Sequence, residues 1–205
     1  MFFDSIIKGA PVTVDVAGVL IPINSGFRTS LVFSTMQDKT SLMATARVLN
    51  LFFAKEGKLP DQASKHPKEA LAAAATWYSE AFDTMQYGTQ YSQRSAHKRT
   101  FDWQEDAGIL SADFMRFYAL DLTSSSTQLH WYTFINLYMA LIATPDSLIN
   151  QAIGARSPLT GDTTREAERA HTRAARAWAL LPTENELREI ALTLEVKRGR
   201  WQGNN

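Results

Sequence analysis

Residues Gln128–Ala143 read QLHWYTFINLYMALIA, and this stretch decides the fold. Between Leu129 and Ile142, ten of the fourteen residues are large apolar or aromatic, and they occupy every face of a helix. Leaving such a helix in water is unfavourable by about 25 cal/mol per Å² of apolar surface. We therefore expect a helix that is covered on all sides, either by its own domain or by another protein. The stretch has no catalytic signature and favours a binding or packing protein over an enzyme.

The composition is that of a folded protein with balanced charge. The chain has 205 residues, 45% of them hydrophobic, which fits one domain, or one domain with a small appendage. Lys plus Arg and Asp plus Glu both total 21, so we expect no general attraction to nucleic acid or to anionic membranes. The absence of cysteine excludes disulfides and thiolate chemistry and is consistent with folding in the cytoplasm.

No segment has the pattern of a signal peptide or a membrane span. The N-terminal residues 1–12 lack a basic start followed by an apolar run and a cleavage site. The apolar run at 129–142 is shorter than the ~20 residues that a bilayer requires, and it contains His130 and Asn136. We expect no contact with a membrane.

Residues 12–23, VTVDVAGVLIPI, predict a small N-terminal β-hairpin. Two β-branched runs flank Ala17-Gly18, where glycine permits the positive φ of a tight turn. Pro22 cannot donate a ladder hydrogen bond, so its strand should be an edge. Because an edge can accept a strand from another chain, a homo-oligomer is possible.

The rest of the chain predicts helices, separated by glycine, proline and polar segments. We expect a mainly α fold in which residues 1–182 form one helical domain and residues 183–205 form a helical extension with a frayed tail. Residues 87–100 predict a long loop. The predicted helices span approximately 24–36, 40–56, 67–82, 102–119, 128–143, 144–155, 163–181 and 184–197.

Some helix details follow from local patterns. Asn24 or Ser25 is expected to cap the first helix. A hydroxyl of segment 123–127 is expected to cap the apolar helix at 128–143. Asp102 and Glu105 predict a capping box at the start of the fourth. The apolar stripes of the second and third helices should comprise Leu42, Ala46, Leu49 and Phe53, and Leu71, Ala75, Tyr78 and Phe82.

The motifs of common enzymes and of cofactor or metal sites are missing. The ten glycines form neither a dinucleotide-binding nor a P-loop pattern, and there is no G-x-S-x-G elbow. The four histidines lie far apart and outside H-E-x-x-H, so no metal site is expected. We expect neither catalytic residues nor a cofactor.

Two groups of residues have both a structural and a chemical interpretation. His130 beside Trp131 is more easily explained as a hydrogen-bonded core histidine than as a ligand or general base. The acidic residues near the fourth helix could suggest acid/base catalysis, but solvation and the helix dipole explain them more simply. These acidic residues are Asp102, Glu105, Asp106 and Asp113.

An arginine stripe runs along the helix predicted at 163–181. It consists of Arg165, Arg169, Arg173 and Arg176, which share one side of a helix. Such a stripe could contact phosphates or an acidic partner, but Glu166 and Glu168 lie among the arginines. A solvated, partly self-paired face is therefore favoured over a dedicated nucleic-acid surface.

Three segments resemble the bacteriophage gene-product-fifteen family. They are IPINSGFR (Ile21–Arg28), FDWQEDAGILSADFMRFYALDL (Phe101–Leu122) and LHWYTF (Leu129–Phe134). The family pattern is a strand pair ending in I-N-x-x-F-R, an acidic helix ending in D-L, and then L-H-W-W-x-F. The resemblance runs in order from about Val12 to Pro182. The chain departs from the pattern at Tyr132, where the family usually has a second tryptophan, and in extending past Pro182.

The resemblance implies a tail-assembly chaperone of long-tailed phages or prophages. Such a protein would bind the tape-measure protein non-covalently in the host bacterial cytoplasm and keep it soluble before the tail tube polymerises. The alternative is a structural virion component, such as a connector or tail-completion subunit. Candidate partner-binding residues are Trp131, Tyr132, Phe134 and Tyr138, for each of which core and contact both remain open, and the four arginines of the stripe, which could steer acidic partners.

Overall fold

The computed structural model describes residues 7–36, 41–84, 99–159, 161–184, 186–188 and 191–192. The predicted loop at 87–100 lies outside them except for its last two residues. The chain forms two compact units, Met1–Pro158 and Leu159–Asn205. The predicted boundary after Pro182 stays a prediction.

The N-terminal hairpin is confirmed. Strands β1 (Thr13–Val16) and β2 (Val19–Pro22) pair antiparallel, with Val16 opposite Val19. Ala17 and Gly18 both have positive φ, 49° and 81°, which closes a two-residue turn whose twist suits the flanking strands. The side chains of Val14, Val16 and Ile21 face the core, so one face of the hairpin is buried.

The remainder of the first unit is helical, as predicted. Its helices are α1 (Phe27–Thr35), α2 (Leu42–Phe53), α3 (Asp61–Lys65), α4 (Pro67–Glu80), α5 (Ala107–Tyr118), α6 (Trp131–Ile142) and α7 (Leu148–Arg156), with a 3₁₀ turn at Phe82–Thr84. The second unit contains α8 (Arg165–Ala177), and the described residues 184, 186–188 and 191–192 of the predicted last helix are helical.

Three predicted helix starts differ from the structure. Gly26 precedes α1 without a side-chain cap. Asp102 does accept the N–H groups of residues 104 and 105, but this makes a turn before α5, which begins only at Ala107. His130, not a hydroxyl, caps α6.

The predicted apolar stripes of two helices are also displaced. In α4 the buried residues are one position earlier than expected, because the alanines on that face let the helix pack closely and Trp77 supplies the bulk. In α2, Leu42 and Ala46 are exposed instead of buried. The buried residues are Ala70, Ala74 and Trp77 in α4, and Ala44, Val48, Leu49, Phe52 and Phe53 in α2.

Helix α6 lies at the centre of the first unit. Half of its twelve residues are buried, and of the rest only Thr133 is exposed. Of the two covers that the sequence left open, its own domain or another protein, the structure shows the first. None of the helices in the described ranges combines the length and apolar character needed to cross a bilayer.

Candidate partner-binding surfaces

Trp131 and Phe134 of α6 are fully buried among other rings. The indole of Trp131 stacks on Tyr78 with 5.1 Å between ring centroids, and its Nε1–H donates to the Tyr78 carbonyl at 3.0 Å. The Phe134 ring stacks on Phe27 at 5.0 Å and on Phe114 at 5.1 Å. Side chains of α1, α4 and α5 therefore cover the rings of Trp131 and Phe134.

Tyr132 and Tyr138 are buried as well. The Tyr132 hydroxyl donates to the carbonyl oxygen of Trp77 at 3.1 Å, and burial and the nearby Glu80 carboxylate raise its pKa. The Tyr138 ring packs 4.9 Å from that of Trp103, and burial followed by the charge of Asp106 raises its pKa. All four aromatic candidates are at most 6% exposed, so in this conformation they are core residues.

His130 is a structural hydrogen-bonding residue. Its Nδ1 accepts the N–H of Tyr132 at 3.1 Å, and its Nε2 lies 3.1 Å from the Pro11 carbonyl. Only the neutral imidazole protonated at Nε2 can make both bonds. The carbonyl oxygen can only accept a hydrogen bond, so Nε2 must donate, and Nδ1 must be unprotonated to accept the N–H of Tyr132. Burial lowers the pKa of His130 and favours that neutral form. This is the arrangement that the sequence favoured for His130.

The first and last of the segments that carry the family resemblance interlock. The Arg28 guanidinium donates to three carbonyls of the segment before α6, those of Leu122, Ser124 and Thr127, at 3.0, 2.6 and 2.6 Å. The backbone closes the junction, because Trp131 N–H donates to the Ser25 carbonyl at 2.7 Å. These motif residues therefore fix the fold where α1 meets α6.

Two of the four acidic residues that could have suggested catalysis are buried and have structural partners. Asp106 forms a two-bond ion pair with Arg156, at 2.7 and 2.8 Å, and both side chains are almost fully buried. Asp113 accepts the N–H of Ile149 at 2.9 Å, so α5 supplies a carboxylate to the first turn of α7. No local pattern in the sequence pointed to Arg156, because its partner lies fifty residues earlier.

Asp102 lies in the turn before α5, and its side chain is partly exposed. Burial acts to raise the pKa of its carboxyl, but the N–H groups of Glu105 and Gln104 and the Arg99 guanidinium together hold it below its ordinary value. Its hydrogen bonds organise the turn before α5. Among the residues that the structure describes, no group of three acidic or histidine side chains is placed to hold a metal ion.

An exposed apolar surface lies on α1 and α2. Val32 of α1 is 53% exposed, and Leu42 and Met43 in the first turn of α2 are 87% and 72% exposed. Val32 also lines a groove of about 530 Å³ between the two helices, together with Met36, Arg47, Asn50 and Leu51. Sequence reasoning missed this surface, because it assigned Leu42 to the core.

The arginine stripe occupies one side of α8 in the second unit. All four arginines are exposed, and none of them forms an ion pair in the described part of the chain. The Thr164 hydroxyl caps the helix by accepting the N–H of Ala167 at 3.2 Å. The helix is therefore well defined where the stripe begins.

These observations define a mainly helical protein with an N-terminal β-hairpin, an interlocked aromatic core, and exposed apolar and basic faces. The family model described as Bacteriophage Gp15 protein matches residues 7–180, which is most of the chain. The chain belongs to this family and is a bacteriophage protein. Searches of curated proteins and of solved structures found no match to it.

Proposed function

We propose that this phage protein is a tail-assembly chaperone. It acts without covalent chemistry in the bacterial host's cytoplasm, where it binds the tape-measure protein and keeps it soluble until the tail tube polymerises. The observation that carries the proposal is the exposed apolar surface of α1 and α2. Family membership supports a phage role, and the buried aromatics move the partner contact away from α6.

The groove has the features of a helix-binding surface. Arg47 and Asn50 of α2 line the groove. Met43 lies four residues before Arg47, so it is on the same side of α2. Methionine side chains adapt to irregular partners, and an amphipathic helix places its apolar residues in such grooves at intervals of three and four residues. A tape-measure protein is expected to be a long helical chain with apolar stripes that aggregate unless they are covered.

The strength of such binding fits a chaperone that must release its client. Burying the side chains of Val32, Leu42 and Met43 contributes about 1.5–3 kcal/mol each. Association costs about 4–15 kcal/mol in lost freedom of motion. One groove therefore gives weak, reversible binding, and several copies along a long client would cover it.

Co-expression with the neighbouring tape-measure protein tests the proposal. The wild-type chain should keep the client in the soluble fraction, and Met43→Asp should abolish this because it places a charge beside the groove. Met115→Asp is the matched control, since Met115 is also an exposed helical methionine, at 49%, but lies on α5. A client that stays insoluble with the wild-type chain, or equal loss of solubility with both variants, would contradict the proposal.

The alternative is a structural virion component, and the hairpin favours it. Leu20 is 70% exposed on β2, which pairs only with β1 among the described residues, so its other edge offers a template for a strand of another subunit. Mass spectrometry of purified virions separates the two functions. A chaperone should be absent from finished particles, whereas a structural subunit should be present in a fixed copy number.

A further inference from the structure

The arginine stripe of α8 concentrates four exposed positive charges on one side of a single helix. At 1.5 Å rise and about 100° per residue, the four guanidinium-bearing positions span about 17 Å of the helix and about 80° of its circumference. All four side chains are exposed. The stripe is therefore a narrow, straight basic surface about three turns long.

The helix itself gains little from this arrangement. Arg165, Arg169 and Arg173 follow each other at intervals of four residues, and like charges at that interval repel. Arg165 lies in the first turn, where the helix dipole disfavours a cation. The spacing of the arginines therefore does not stabilise α8 itself.

Carboxylates of the same helix lie near only the first half of the stripe, because Glu168 is three residues from Arg165 and Glu166 is three residues from Arg169. Arg173 and Arg176 have no Asp or Glu three or four residues away in either direction. Glu168 borders the stripe in the first turn, but its Oε1 accepts a hydrogen bond from the Thr163 hydroxyl at 3.4 Å. The stripe is solvated, as the sequence favoured, but the partial self-pairing does not occur among the ion pairs of the described residues.

We propose that the arginine stripe is a docking surface for an acidic α-helical segment of a partner protein. Carboxylates at intervals of four, four and three residues on a second helix repeat at the same rise as the four arginines, so each could meet one guanidinium. Arginine suits this contact because its planar fork binds carboxylates through two parallel hydrogen bonds.

A protein partner fits the charge better than a nucleic acid does. Residues 159–205 contain eight Lys or Arg against seven Asp or Glu, a net charge of +1, and the whole chain is neutral. Binding to a phosphate backbone depends on excess positive charge over a wide surface, which this chain lacks. A short acidic helix needs only the local stripe. The inference does not depend on the proposed chaperone function, because it concerns a different surface and is tested with a different probe.

The test uses the full chain and a labelled synthetic helical peptide with four glutamates at intervals of four, four and three residues. Fluorescence anisotropy should show binding that weakens at least tenfold between 50 and 300 mM NaCl. A peptide of the same composition, with the glutamates distributed around the helix, should bind at least fivefold more weakly. The variant R165Q/R169Q/R173Q/R176Q should lose at least tenfold in affinity.

The matched control is K55Q/K58Q/K65Q/K68Q, which removes the same charge from exposed positions of the first unit. It should bind the peptide as the wild-type chain does, and circular dichroism should show that both variants keep their helix content. Equal binding of the two peptides, equal loss in the two variants, or no binding at all would overturn the inference. Tighter, stripe-dependent binding of a 20-base-pair DNA duplex would also overturn it, in favour of a nucleic-acid surface.

Discussion

Replacing Trp131 tests whether the aromatic residues of α6 hold the fold or contact a partner. The side chain is fully buried, stacks on Tyr78 and donates one hydrogen bond to the Tyr78 carbonyl. A buried tryptophan removes about 150–250 Å² from water, which is about 4–6 kcal/mol at 25 cal/mol per Å². Large-to-small core substitutions of aromatic residues cost about 3–5 kcal/mol, and an unpaired buried carbonyl adds about 1 kcal/mol.

Trp131→Ala should therefore lower the free energy of unfolding by about 4–6 kcal/mol, most of what a small domain has. Trp131→Phe keeps a stacked ring but loses the hydrogen bond, and it should cost about 1–2 kcal/mol. Urea denaturation followed by circular dichroism measures both values. If Trp131→Ala unfolds within about 1 kcal/mol of the wild-type free energy yet no longer solubilises the tape-measure protein, Trp131 is a contact residue and the reasoning fails.

Two further predictions concern buried polar groups. Asp106→Leu should lower the free energy of unfolding by about 3–5 kcal/mol, because it leaves the Arg156 guanidinium buried without its counterion. Adding Arg156→Met should restore most of this loss. A double variant no more stable than Asp106→Leu in urea denaturation would refute the prediction. Stability should also decline as pH falls below about 6.5, the ordinary pKa of histidine, since burial lowers the pKa of His130 in the folded state and the unfolded chain then binds the proton first. Thermal unfolding at pH 7.5 and 5.5 measures the effect, and His130→Asn should reduce the difference between the two pH values; an undiminished difference would assign it to other groups.

The sequence predicted those parts of the fold that depend on neighbouring residues. The hairpin follows from two β-branched runs around Gly18, and the burial of α6 follows from its apolar residues on every face. Both signals are local, and each admits few alternatives. The family resemblance was also confirmed, because its motifs lie along most of the chain.

The sequence could not predict what depends on distant partners. The pairing of Asp106 with Arg156 spans fifty residues, and no local pattern links them. In α4, an alanine-rich helix offers several possible apolar stripes, and only the packing of Trp77 selects one of them. Leu42 was assigned to the core because it begins an apolar stripe at spacings of four, three and four residues, but it lies in the first turn of α2 and is 87% exposed.

The contacts of Arg28 have a consequence for how the chain is made. Its three carbonyl partners lie 94 to 99 residues further along the sequence. A ribosome that adds about 5–20 residues per second needs about 5–20 seconds to reach them. During that interval the Arg28 guanidinium lacks its three acceptors, so the junction between α1 and α6 closes only after residues 122–131 have been translated. A message cut short before that point would yield a product in which this junction cannot form.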